Sequence, residues 1–83
     1  MTEYNIRTTM EEADDIASGK KDFIFRGVRQ PYGVGDYITF TAFDGVQRKR
    51  HVIDNMRFRI TYVNRKEPVA KGFKVLGFRK VTP

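Results

Sequence analysis

Gly19-Lys20-Lys21-Asp22-Phe23-Ile24-Phe25-Arg26 divides the chain into two regions of different character. An acidic, helix-forming segment precedes it, and a succession of strand-forming segments follows. Gly19 can end a helix, because a residue without Cβ accepts the left-handed backbone of a helix terminus. Phe23, Ile24 and Phe25 can start a buried strand. Lys20, Lys21 and Arg26 therefore fall at a helix-to-strand junction, where side chains from several elements can converge.

On the N-terminal side, residues 3–7 read as a short strand with Tyr4 and Ile6 on one face. Thr8 or Thr9 can cap the helix that follows. Each has a Glu three residues on, Glu11 or Glu12, which is the spacing of a capping box. Met10, Ala13, Ile16 and Ala17 fall on one broad apolar face. Glu11, Glu12, Asp14 and Asp15 are expected to face water. A convex acidic helix surface is a poor metal site, since hard cations take oxygens from a folded-back loop.

On the C-terminal side, residues 22–28 form the second expected strand, and residues 29–35 a loop punctuated by Pro31, Gly33 and Gly35. Residues 36–43 alternate with a period of two, Ile38, Phe40 and Ala42 against Tyr37, Thr39, Thr41 and Phe43. Asp44-Gly45 signals a hairpin, with a return strand over 46–53. Asp54-Asn55 marks a bend. Residues 56–63 alternate again, with Phe58, Ile60 and Tyr62 on one face. Residues 64–68 form a polar loop. The last strand spans 71–81, apolar on both faces, as suits an interior position. Gly72 and Gly77 mark bulges or bends in it. One helix and about six strands in 83 residues predict a single α+β, mainly-β domain over 1–83: a small β-barrel that closes to hide its edges.

Charge and composition narrow the function classes. Residues 1–19 hold one basic side chain against five acidic ones, a balance of −4; residues 20–83 hold fifteen against five, a balance of +10. A basic body points to an anionic partner, nucleic acid first, with plain solubility charge as the other reading. With no Cys and one His, disulfides and thiolate metal sites are excluded and a zinc site is not expected. No apolar run reaches the ~18–20 residues of a membrane span, and the N-terminus lacks the plan of a signal peptide. The expectation is a soluble, cytoplasmic protein without membrane partner or cofactor.

Gly19-x-Lys21-x-x-Ile24-x-Arg26, directly after a short helix, resembles the Gly-x-Lys-x-x-Glu-x-Arg signature of the ASCH family, within the PUA-like superfamily. Val34-Gly35-Asp36 before a strand resembles the family's next landmark, and residues 71–78 are similar to the last strand of small bacterial or phage-type members. The resemblance covers roughly residues 4–81. It implies a PUA-like barrel with a cleft beside the Gly-x-Lys segment, and a role in binding RNA or a modified nucleoside. One enzymatic branch of the family hydrolyses acyl groups from N4-acetylcytidine with a Lys, a Thr and a Glu. Lys21 matches the Lys. The Thr position, like the signature's acidic position, is Ile24, which has no hydroxyl, and only Glu67, in a loop, offers itself as the Glu. Binding is therefore expected over amidohydrolysis.

The candidate nucleic-acid contacts are Lys20, Lys21, Arg26, Arg29, Tyr32, Arg48 and Arg50. Lys21 at a cleft mouth can bind phosphate or, if desolvated and enzymatic, act as a base; its other reading is a surface Lys lying along Phe23. Arg26 shares a face with Ile24, and so needs a ligand or a structural partner such as Asp22 or Asp36. Tyr32 can stack on a base or anchor its loop. Arg48 and Arg50 share one strand face, Lys49 and His51 the other, and Arg57 and Arg59 share a face one segment later. If those strands adjoin, four guanidiniums form a phosphate-binding stripe; otherwise they solvate the sheet. His51 and Ser18 lack the neighbours of a catalytic group. An acidic protein partner of a regulatory domain is the remaining alternative.

Overall fold

In the computed structural model, residues 2–27, 30–64 and 73–81 are described. The strongest alternation in the sequence makes the central strand, β3 (Tyr37–Asp44), with Ile38, Phe40 and Ala42 buried and the intervening residues turned outward. The other elements are β1 (Glu3–Thr9), α1 (Met10–Ala17), β2 (Phe23–Gly27), β4 (Gln47–Arg48), a 3-10 helix (Val52–Asn55), β5 (Arg57–Val63) and β6 (Phe73–Lys80). They form one six-stranded sheet in the order β1-β3-β5-β6-β2, with β4 added to β3. The β1–β3 pairing is parallel and the rest antiparallel.

The fold is α+β and mainly β, as expected, and the six-stranded sheet curls into a half-barrel. Among the described residues its two edges, β1 and β2, make no ladder with each other. The concave side holds the core: Ile6, Ile24, Ile38, Phe40, Phe58, Ile60, Leu76 and Phe78, covered by Ala13 and Ile16 of α1. Phe40, Phe58 and Phe78 meet with ring centroids 5.2–5.5 Å apart, in edge-to-face and tilted contacts.

The helix starts and stops as its sequence dictates. Thr9 is the N-cap, its hydroxyl accepting from the Glu12 amide at 3.1 Å, and Gly19 takes a φ of +84° after the last turn. The carboxylate of Glu12 does not complete a capping box; it accepts from the Thr8 hydroxyl and turns toward the β2 side of the molecule.

Several boundaries differ from expectation. The second strand ends at Gly27 and the last begins at Phe73; Val28, Arg29, Gly72 and the expected loop over 65–68 lie outside the described residues. The hairpin turn is Gly45-Val46, closed by the Asp44–Gln47 pair, with Gly45 at φ +62°. A positive φ at the first turn position alone is the pattern of a II′ turn. The return strand is only Gln47–Arg48, because the chain leaves the sheet and turns through the 3-10 helix. His51 caps that helix: its Nδ1 accepts from the Ile53 amide at 3.0 Å, and its backbone N–H donates to Asp54 at 3.1 Å.

A bulge reverses the end of β5. Ile60 pairs with Phe78 but Tyr62 pairs with Gly77, so one extra residue is accommodated on β5. Tyr62 consequently points outward, 51% exposed, instead of joining Phe58 and Ile60 in the core. Gly77 faces the bulge as the sequence suggested: a Cβ there would lie 3.2 Å from the Tyr62 Cβ.

Candidate functional site

The Gly19–Arg26 segment does bring its two key cations to one place. Lys21 Nζ lies 2.9 Å from Glu12 Oε2, and Arg26 Nη2 lies 2.9 Å from Glu12 Oε1. Thr8 donates its hydroxyl to Glu12 Oε1 at 2.6 Å. Three side chains, from β1, the α1–β2 junction and β2, thus converge on one carboxylate of α1. Burial pushes the Glu12 carboxyl up, but the hydrogen bonds from Thr8, Lys21 and Arg26, with the Arg26 charge, outweigh it and bring it down to about 2.

Arg26 does more than neutralise Glu12. Its guanidinium also donates to the Phe25 carbonyl at 2.6 Å and to the Arg7 carbonyl at 3.0 Å. Arg7 belongs to β1 and Arg26 to β2, so this fork spans the two edges of the half-barrel. The partner of Arg26 is Glu12, not Asp22 or Asp36. Asp36 instead accepts from the Gly33 and Thr2 amides, at 3.0 and 3.3 Å, and holds the loop before β3.

An open cleft of about 510 Å³ lies against this cluster, lined by Arg7, Thr8, Thr9, Glu12, Arg26, Phe43 and Gly45. Its size suits a nucleoside. The Arg7 guanidinium sits over the Phe43 ring, 4.7 Å from its centroid. Sequence reading missed Arg7, Thr8, Glu12 and Phe43 as site residues. A signal for Glu12 was present: it precedes Ile16 by four residues and shares that buried residue's helix face.

The other candidates are placed apart. Lys20 is exposed at the helix end. Arg29 lies outside the described residues. Tyr32 is 6% exposed and packs on Tyr4 with ring centroids 4.7 Å apart, while Tyr4 donates to the Pro31 carbonyl at 3.2 Å. It is a loop anchor, and its ring face is not available to a base. Arg48 and Arg50 line a separate concavity of about 760 Å³ with His51, Val52, Asp54 and Asn55. They form no stripe with Arg57 and Arg59: β4 pairs with the Phe43–Asp44 end of β3, and β5 pairs with its Tyr37–Thr39 end. His51 Nε2 contacts Asp14 at 2.5 Å, which ties the 3-10 helix to α1. Ile24, at the family's acidic position, is fully buried in the core.

Among the described residues no group of His, Asp or Glu could hold a metal ion, and no helix is long and apolar enough to cross a membrane. In sequence comparison, no protein-family model and no curated protein matches this chain.

Proposed function

We propose that the protein is an ASCH-type, PUA-like module that binds RNA or a modified nucleoside in the cleft beside the Gly19–Arg26 segment. One observation carries the reading: a nucleoside-sized cleft has a hydrogen-bonding floor and a π-bearing wall. Arg26 and ionised Glu12 offer donors and acceptors for a base edge, and the Arg7–Phe43 pair offers a planar surface for stacking. The basic body, +10 over residues 20–83, favours the attached phosphates. Lys21 and Arg26 are held by Glu12, so they orient the site more than they supply free charge.

The test is an NMR titration with cytidine, N4-acetylcytidine and short RNAs. Shifts at Arg7, Thr8, Glu12, Arg26 and Phe43 amides, weakened at least about fivefold in Arg7→Ala, are expected from loss of a stacking contact. Absence of shifts in this set for every ligand would sink the reading.

Hydrolysis of an N4-acyl group is the second reading, favoured by the Thr8–Glu12–Lys21 constellation. A carboxyl held at about 2 is a poor proton acceptor near neutrality, and Thr8 is buried. Incubation with N4-acetylcytidine is therefore expected to release no acetate.

A further inference from the structure

The outer face of the half-barrel carries a feature that the cleft does not use. Phe23, Gly77 and Tyr62 form one row across β2, β6 and β5, since Gly77 is the register partner of both aromatics. Phe23 is 42% and Tyr62 51% exposed, and Phe25, in the next row opposite Val75, is 48% exposed. The rows face outward because their neighbours Ile24, Leu76 and Phe78 are buried. The β5 bulge puts Tyr62 on this face, and the missing side chain of Gly77 leaves the floor between the two rings low.

Two residues farther along β6, about 7 Å away at the usual strand rise, the row changes from aromatic to cationic. Arg79 stands directly opposite Arg59, both exposed, and neither is ion-paired with a described residue. Like charges directly opposite on neighbouring strands destabilise a sheet, and an anion between them relieves that repulsion. At the same end of the aromatic rows, on the β2 side, Lys21 precedes Phe23 by two residues and its Nζ sits 5.6 Å from the Phe23 ring centroid.

We propose that this face, the Phe23–Gly77–Tyr62 row with the Arg59–Arg79 pair beside it, is a second binding surface, a stacking platform for single-stranded nucleic acid. Bases lie on the exposed rings, which is tolerant of sequence because every base has a π-face. The arginine pair takes the backbone phosphates. The charge decides the occupant: an apolar protein surface laid on these rings would bury two adjacent guanidiniums. The proposal uses no residue of the cleft and stands whether or not the cleft binds a nucleoside.

Fluorescence anisotropy with labelled ten-nucleotide RNA and DNA strands, single and duplex, at two salt concentrations tests it. Single strands are expected to bind more tightly than duplexes. Phe23→Leu and Tyr62→Leu keep apolar bulk but lose the ring; each should weaken single-strand binding by about fivefold to a hundredfold and leave the salt slope unchanged. Arg79→Gln should weaken binding and reduce the slope of log K against log salt by about 0.7. Tyr62→Leu, which lies outside the cleft, should leave the amide shifts that free cytidine induces at Arg7, Thr8 and Phe43 unchanged, so that failure of one site is read apart from failure of the other. The proposal is overturned if no single strand binds at low salt, if duplex binds as tightly as single strand, or if both ring substitutions leave affinity unchanged. The RNA and DNA arms show which strand the platform prefers.

Discussion

Glu12 is a residue whose surroundings invert its local sequence role. On its own helix it is an acidic first-turn side chain, suited to the helix dipole. In the fold it is the single carboxylate shared by Thr8, Lys21 and Arg26. Glu12→Gln keeps the size and removes the charge, leaving two cations side by side. The expected cost near neutrality is about 1–2 kcal/mol by urea denaturation, an amount that allows for the water reaching these side chains. The sign of the pH dependence follows from the direction of the shift. The folded carboxyl is lowered from 4.5 to about 2. Its stabilisation is therefore complete above the unfolded value and is lost as pH falls toward the folded one. The stability gap between the native protein and Glu12→Gln should be constant from about pH 6 upward and should close toward pH 2. A gap that stays open in acid would mean that packing, not charge, holds this site.

At the scale of elements, the 3-10 helix shows how one side chain fixes a short segment with little propensity of its own. The Ile53 amide donates to His51 Nδ1, so that nitrogen carries no proton and Nε2 carries the one directed at Asp14. His51→Ala removes the cap and the tie to α1 together, at an expected cost of about 1–2 kcal/mol. His51→Asn can restore the cap but not the tie, and should recover part of that loss in the same denaturation experiment. Equal stability of the two variants would place the whole effect in the contact with Asp14. This segment was not legible in the sequence. Arg48 to His51 reads as strand by its position after a hairpin signal, and only the turn to α1 reveals that the chain leaves the sheet. Where one buried face sets a strict period, as in β3, legibility was high. In β5 the same rule held through Ile60 and then failed, because an inserted residue changes parity without changing composition. Gly77 was the visible trace of that bulge. The cluster at Glu12 was half legible: Lys21 and Arg26 stood out by charge beside a glycine, whereas their partner lies nine and fourteen residues earlier, beyond any local pattern.

The whole molecule poses a problem of edges. A curled sheet with unpaired edges is open to slippage and association, and here β1 and β2 end the sheet without a ladder between them among the described residues. The Arg26 guanidinium bridges them, one nitrogen reaching both the Arg7 carbonyl on β1 and the Glu12 carboxylate on α1, the other the Phe25 carbonyl on its own strand. This clasp stands in for strand closure and also forms one side of the nucleoside-sized cleft, so fold and candidate site depend on the same side chain. A lysine carries the charge but is a point donor without the fork. Arg26→Lys should thus retain the attraction to Glu12, lose the bridge to Arg7, and destabilise the protein by about 1–2 kcal/mol. The distinguishing measurement is amide hydrogen exchange. If Arg26 holds the two edges together, amides of Arg7, Thr8 and Phe25 should exchange faster in the variant by more than the global loss of stability explains. Those of Phe40, Ile60 and Phe78, in the interior strands, should follow the global change alone. Equal acceleration in all six positions would mean that the half-barrel keeps its shape without the clasp, and that Arg26 contributes only its charge.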